Sequence, residues 1–354
     1  AVAIALVMVA GQMADSGSVS VLDETAEKRF ADPTIGFAVI AGNDGVDYDE
    51  YNTNGFTVTG LSSNTADDCA GSSACTVSVN YGGVVRTATV AADESWSVSF
   101  SAAQLAAGNT GSGVDDATDI SVTATVTNTD ATATASTTVE QDSDKPGMVI
   151  TSNTVVSGAD TNTGAIVLIY TSDEATSNFA LVDITVTECS NAAFTTESTT
   201  VYGSTCTEDS NGVTPTVLVA AGTFTDAVSN TNSVSNTYTW TFDTADPTMT
   251  ITSTAGTADG GTSSVAAFAL TFTSNEATAN FVVGDITATG GDGCTLGAFA
   301  QGGSAAIYTA TCTPDNAGET VNVLVATDAY TDTAGNGNAV SNTFDWTWDG
   351  TGPT

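Results

Sequence analysis

The sequence predicts an all-β protein, a tandem row of two-layer sandwiches behind an apolar N-terminal extension, and three observations carry that prediction. Short segments such as FTVTG, CTVSVNY, SWSVSFS, ISVTATVT and TYTWTF alternate apolar residues with Thr or Ser, the period-two pattern of half-buried strands. Turn residues (Gly, Asn, Asp) interrupt them roughly every 8 to 12 residues, as in all-β sandwiches. Helical periodicity is nearly absent, and only SFSAAQLAAG, from Ser99, predicts a helical turn or two. The chain has 354 residues, two to three times a typical domain.

The first element is AVAIALVMVAG, too short for the roughly 18 or more residues of a membrane-spanning helix. It resembles a signal-peptide core but lacks the basic flank of one. As a strand it sets Val2, Ile4, Leu6 and Met8 on one face and Ala1, Ala3 and Ala5 on the other. Large faces small, which suits a strand donated into the groove of another domain. The rival readings are a short helix packed with its copies in a filament core, and a segment folded back onto its own first domain. Residues 12 to 30 then form a polar tether ending in Lys28 and Arg29.

The second half is organised by a repeat at a spacing of about 100 residues. Asp142-Ser-Asp-Lys-Pro146 recurs as Asp243-Thr-Ala-Asp-Pro247 and as Asp349-Gly-Thr-Gly-Pro353. Between these linkers, YTSDEATSNFALVDITVT from Tyr170 matches FTSNEATANFVVGDITAT from Phe272. Likewise FTDAVSNTNSVSNTYTWTFD from Phe224 matches YTDTAGNGNAVSNTFDWTWD from Tyr330. The expected organisation is therefore an N-terminal segment and tether over 1–30, domains over 31–141, 142–242 and 243–348, and the start of a further linker over 349–354. About seven short strands per roughly 100 residues is the pattern of an immunoglobulin-like sandwich. Tyr238, Trp240 and Phe242, like Phe344, Trp346 and Trp348, fall at period two in the last strand of a repeat. A buried core face explains such a row better than a sugar-binding platform.

The Asp-x-x-x-Pro-Thr linker, the Ser-x-Glu-Ala-Thr stretch and the Thr-Asp-x-x-x-Asn stretch resemble those of the tandem bacterial Ig-like domains of cell-surface adhesins and filament (pilus-like) proteins. The first domain's RTATVAADESWSVSFSAAQLAAG, from Arg86, is similar to a second variety of those repeats. The resemblance spans residues 31 to 354 and implies the sandwich fold and a cell-surface setting. The apolar N-terminus departs from it, because such repeats are normally embedded in longer chains.

Composition excludes several function classes. Against 41 acidic residues stand only Lys28, Arg29, Arg86 and Lys145, with no histidine and a formal charge of -37. Nucleic acid and anionic membrane surfaces would repel such a chain. Without imidazole the usual general base and proton shuttle are missing, so the chain is expected not to be an enzyme. A glycosidase carboxylate pair would need a deep cleft that small stacked sandwiches seldom offer. Asn-x-Ser/Thr is absent, which fits a prokaryotic source and leaves O-glycans on Thr-rich faces as the open modification.

The acidic residues have a topological logic. In an up-down sandwich the loops after the second and sixth strands share an end with the incoming linker. Glu174 and Asp226 should therefore meet Asp142 and Asp144, and Glu276 and Asp332 should meet Asp243 and Asp246. Such oxygen-only groups suit Ca2+ at interdomain junctions; the competing reading is solvated loop acids. The acidic stretch Asn43 to Glu50 lacks the spacing of an EF-hand loop. The cysteines fall as local pairs, Cys69-Cys75, Cys189-Cys206 and Cys294-Cys312, and read as disulfides of an exported protein rather than reduced thiols. The functional expectation is an extracellular structural protein, a homopolymer of copies of itself joined head-to-tail into a pilus-like filament through the N-terminal strand. The alternative is a fragment of a calcium-stiffened adhesin stalk, which the linker motif at 349–354 favours.

Overall fold

The computed structural model describes residues 34–40, 45–63, 75–108, 118–127, 131–254 and 257–352. The expected donor strand with Val2, Ile4, Leu6 and Met8, the tether and Cys69 lie outside them. Contacts group the chain into two units, one drawn from Ala1–Asp44, Gly55–Thr110 and Ile120–Val139, the other from Gly45–Asn54, Gly111–Asp119 and Glu140–Thr354.

The first unit contains β1 (Thr34–Ile40), and the short β2 (Gly45–Val46) follows it in the chain. Then come β3 (Phe56–Ser63), β4 (Thr76–Tyr81), β5 (Val84–Thr89), β6 (Ser95–Phe100), the helix α1 (Ala102–Gly108), β7 (Thr118–Thr127) and β8 (Thr132–Gln141). One sheet has the order β1-β3-β6, the other β8-β7-β4-β5. The alternation read from sequence decides which side chains turn in: Val77, Val79 and Tyr81 of β4, Trp96, Val98 and Phe100 of β6, and Val122, Ala124 and Val126 of β7 are all buried. Threonine and serine take the outer face, where Thr125 and Thr127 meet Thr134 and Thr132. Gly60 sits between Phe37 and Gly36 on one side and Trp96 on the other, and a Cβ there would strike the indole. β2 groups with the second unit and runs parallel to the last residues of β8, Gly45 opposite Glu140 and Val46 opposite Gln141.

The second unit holds two sandwiches of one plan. The first comprises β9 (Met148–Ser152), β10 (Asp160–Thr161), β11 (Ala165–Ser172), β12 (Ile184–Thr187), β13 (Cys189–Thr196), β14 (Val201–Glu208), β15 (Thr216–Val219), β16 (Tyr238–Thr239) and β17 (Thr241–Phe242). The next comprises β18 (Met249–Ser253), β19 (Gly261–Ser263), β20 (Phe268–Ser274), β21 (Ile286–Thr289), β22 (Cys294–Gln301), β23 (Ile307–Pro314), β24 (Thr320–Val325) and β25 (Phe344–Trp348). The four-stranded sheets β13-β14-β11-β9 and β22-β23-β20-β18 correspond, as do β12-β15-β16 and β21-β24-β25. Each core closes around the aromatic row of the last strand: Tyr238 and Trp240 in one, Phe344 and Trp346 in the other.

The hairpins β13/β14 and β22/β23 carry matched irregularities, a register shift with Ala193 or Ala298 at positive φ. They are also where the disulfides fall. Cys189 is joined to Cys206 and Cys294 to Cys312, with Cα atoms 5.7 and 5.5 Å apart. Closing loops of this length contributes about 3 kcal/mol in the chain-entropy model. Cys75 is disulfide-bonded as well.

Candidate metal centres

Three chain segments meet at the pole where the linker enters the 148–242 sandwich. Asp142 follows β8, Glu174 follows β11 and Asp226 lies in the loop after β15. Their carboxylates offer oxygens within 4.8 Å of one another. Asp243, Glu276 and Asp332 form the same group at the next sandwich, again within 4.8 Å. Two ligands on one calcium ion at about 2.3 to 2.6 Å stand no more than about 5 Å apart, so the spacing and the all-oxygen donor set fit a hard divalent cation.

Hydrogen bonds explain how each group is held. The Asp226 carboxylate accepts from the Val228 and Asn230 backbone N–H groups, both at 2.9 Å, and from the Asn230 side-chain amide at 2.7 Å. That amide also donates to the Asp142 carbonyl at 3.1 Å, tying the linker to the loop. Asp332 accepts from Gly335 and Asn336 N–H at 2.7 and 2.8 Å, and the Asn336 amide reaches Asp332 and the Asp243 carbonyl, both at 2.9 Å. The linker prolines join in, Pro146 accepting from Ser233 N–H and Pro247 from Ala339 N–H. Asn230 and Asn336 are thus organising residues that carboxylate reasoning passes over. Their signal was in the sequence, an Asn four places after the Asp in both repeats.

A carboxylate has about four lone-pair sites, and three on Asp226 are taken by N–H donors. Asp226 and Asp332 therefore offer a cation one oxygen each, while Glu174 and Glu276 carry no such set of backbone donors. The electrostatics agree. The Glu174 carboxyl is pushed up to about 8, first by burial and then by the facing charges of Asp142, Asp226, Asp173 and Asp144. Glu276 is raised too, by burial and then by Asp243 and Asp332, and Asn275 works against the rise. An ion among these oxygens would remove the repulsion that adds to burial in both shifts.

The other two expected ligands stand outside these three-carboxylate groups. Asp144 is outside the three-carboxylate group and lines a cavity of about 330 Å3 with Lys145, Asp173 and Glu174. Asp246 is exposed on the linker and outside the second group; the turn that brings Asp243 inward, closed by Ala245 N–H on the Asp243 carboxylate, leaves it facing solvent. In the acidic stretch before Asn54, Glu50 N–H donates to the Asp47 carboxylate at 2.9 Å. Burial, then Asp47, pushes Glu50 up to about 7. This stretch caps a helical turn that docks on the second sandwich: Tyr48 N–H donates to Asn230, and the Lys145 ammonium lies 4.3 Å from the centre of the Tyr48 ring.

Beyond the pole, the contact between the two sandwiches of this unit is polar. Thr333 donates to Asp160 at 2.7 Å and Asn162 N–H donates to the Ala334 carbonyl at 3.1 Å. No helix among the described residues is long and apolar enough to cross a membrane.

Residues 243–347 match the family model of a bacterial Ig-like domain. No curated protein matches the chain. Among solved structures, a 1.5-MDa bacterial ice-binding adhesin is similar at 17% identity over 91% of this chain and 100% of that one, with a TM-score of 0.37. A broadly conserved Escherichia coli adhesin aligns at 13% identity over 89% and 96%, TM-score 0.36. A calcium-stabilised adhesin of an Antarctic bacterium, described as reaching out to bind ice, aligns at 15% identity over 90% and 75%, TM-score 0.36.

Proposed function

We propose that this chain, with its bacterial Ig-like domain at 243–347, is an extracellular structural protein whose sandwiches serve as spacers and whose linkers are clamped by calcium. The observation that carries the reading is the repetition of one constellation: a linker Asp, a Glu and an Asp within 4.8 Å of one another at two successive sandwich poles. Unneutralised carboxylates gathered this closely oppose each other. A cation turns that repulsion into a tie between the linker and two loops. The disulfides Cys189–Cys206 and Cys294–Cys312 fit an oxidising, exported setting. Differential scanning calorimetry of the full chain tests the clamp. Calcium at about 100 times its Kd should stabilise each site by about 2.7 kcal/mol, with a matching loss in chelator and little response to magnesium. A melting profile indifferent to chelator would overturn it.

Within that role, the chain is proposed to be a pilus-like subunit whose partners are copies of itself, joined through residues 1–11. The sequence pattern of Val2, Ile4, Leu6 and Met8 against alanines supports this form over a plain adhesin stalk. Removing residues 1–11 should abolish fibres seen by electron microscopy. Fibres that persist would leave the stalk form standing.

A further inference from the structure

The three-stranded sheet of the first unit ends at β6. Ser62 N–H donates to the Glu94 carbonyl at 2.9 Å and Leu61 stands opposite Ser95. By the alternation of antiparallel pairs, Trp96, Val98 and Phe100 turn their backbone groups toward β3, and Ser97 and Ser99 turn theirs away. Among the described residues no strand pairs with that outer side. A groove of about 560 Å3 reaches β6 at Ser95, Trp96 and Ser97 and is lined as well by Ala38 of β1, Gly60 and Leu61 of β3 and Ala88 of β5. No residue lining it is charged, in a chain of formal charge -37. Trp96 is 3% exposed, yet its indole N–H has no acceptor among the described residues. A buried donor left unpaired costs about 1 to 3 kcal/mol, and Trp96 is one of the residues that line the groove.

Resting on the filament reading, we infer that this groove is the acceptor for residues 1–11 of a second copy, which add to the sheet as a strand beside β6. Three features of the two surfaces agree. The open edge offers the backbone of Ser97 and Ser99 for pairing. The β6 edge is about 20 Å long, within reach of an eleven-residue extended segment of about 36 Å. Residues 1–14 carry no charged side chain, so they enter a neutral groove without bringing charge to a strongly acidic partner. The contact joins two different surfaces, so it propagates into a fibre unless its rotation closes a ring.

The test follows assembly of the full chain by sedimentation, with hydrogen-exchange mass spectrometry below and above the assembly concentration. Assembly should slow exchange in the peptide covering residues 95–100. Ser97→Pro, which removes an outward N–H, and Ala88→Glu, which charges the groove, should each raise the assembly concentration at least tenfold. Val85→Glu, at an exposed β5 position outside the groove, should leave it unchanged. A chain that stays monomeric at every concentration overturns the filament reading and this acceptor with it. Fibres that form without protection of β6, or equally well in both variants, overturn the acceptor alone, as does β6 protection that is already complete in the monomer. The exchange result uses the wild-type chain and stands even if a variant fails to fold.

Discussion

In the 148–242 sandwich the indole of Trp240 donates to Glu208 at 2.8 Å; in the next sandwich Trp346, on the corresponding strand, has no acceptor among the described residues. Both rings are fully buried. The cause is one position. Glu208 pairs with Cys189 across its hairpin, and Pro314 holds that place opposite Cys294. The third sandwich compensates with shape, since Phe268 stacks on Trp346 with centroids 4.6 Å apart, where the second has Ile166 on the strand β11. One core uses a hydrogen bond and the other an aromatic stack. Closure around the last strand is what the fold requires, and its chemistry is free to vary.

The linker poles differ in the opposite way, with constant geometry and altered placement of charge. Asp173 accepts the Gly147 N–H at 2.7 Å, and Asn275 accepts the Thr248 N–H at 2.7 Å. Both residues perform the same backbone bond, but only Asp173 adds a charge beside the Glu. Lys145 and Asp144 of the first linker are replaced by Asp246 and Ala245 in the second. The formal charge of the two poles is therefore similar, while its placement around the glutamate is not.

The largest effect should come where the copies agree. Asp226→Ala and Asp332→Ala each remove three hydrogen bonds to a nearly fully buried carboxylate and should destabilise their own sandwich by about 2 to 4 kcal/mol. Hydrogen exchange resolved by sandwich would measure both. A cost confined to one copy would break the claim of a shared plan. Next, Glu208→Ala should cost about 1 to 3 kcal/mol by orphaning the Trp240 indole, and Trp240→Phe should cost more than Trp346→Phe. Equal costs for the two tryptophans would show that the Glu208 bond contributes nothing net.

How much of this was legible in the sequence follows from the range of each interaction. Strand alternation is local, so the inward sets of β4, β6 and β7 could be read directly, as could the helical turn at Ala102–Gly108. The repeat aligned Asp142 with Asp243, Glu174 with Glu276 and Asp226 with Asp332, and topology then placed each trio at one pole. Trp240 and Glu208 lie 32 residues apart, and their meeting depends on hairpin register, which no motif announces. Tyr48 and Asn230 are 182 residues apart, so nothing local hinted that the acidic stretch docks there. Asp144 and Asp246 stand outside the two trios, because linker position alone does not say which side chain a turn directs inward.

The smallest effect tests the charge difference itself. Glu174 has a folded pKa of about 8 against an ordinary 4.5, so without a cation the folded chain binds a proton that the unfolded chain releases. That contribution to stability is fully present below about pH 4.5 and is lost as pH rises through about 8. In chelator the 148–242 sandwich should therefore melt lower at pH 8.5 than at pH 5.5. The next sandwich should respond in the same direction but more weakly, because Asn275 counteracts the rise at Glu276. Asp173→Asn removes one of the facing charges and should bring the two responses together without breaking the bond to Gly147. Calcium should flatten both, since it favours the ionised carboxylates that burial and crowding oppose. Scanning calorimetry with sandwich-resolved transitions at the two pH values reads all of these shifts, and a steeper response at Glu276 than at Glu174 would reverse the assignment of charge crowding to Asp173 and Asp144.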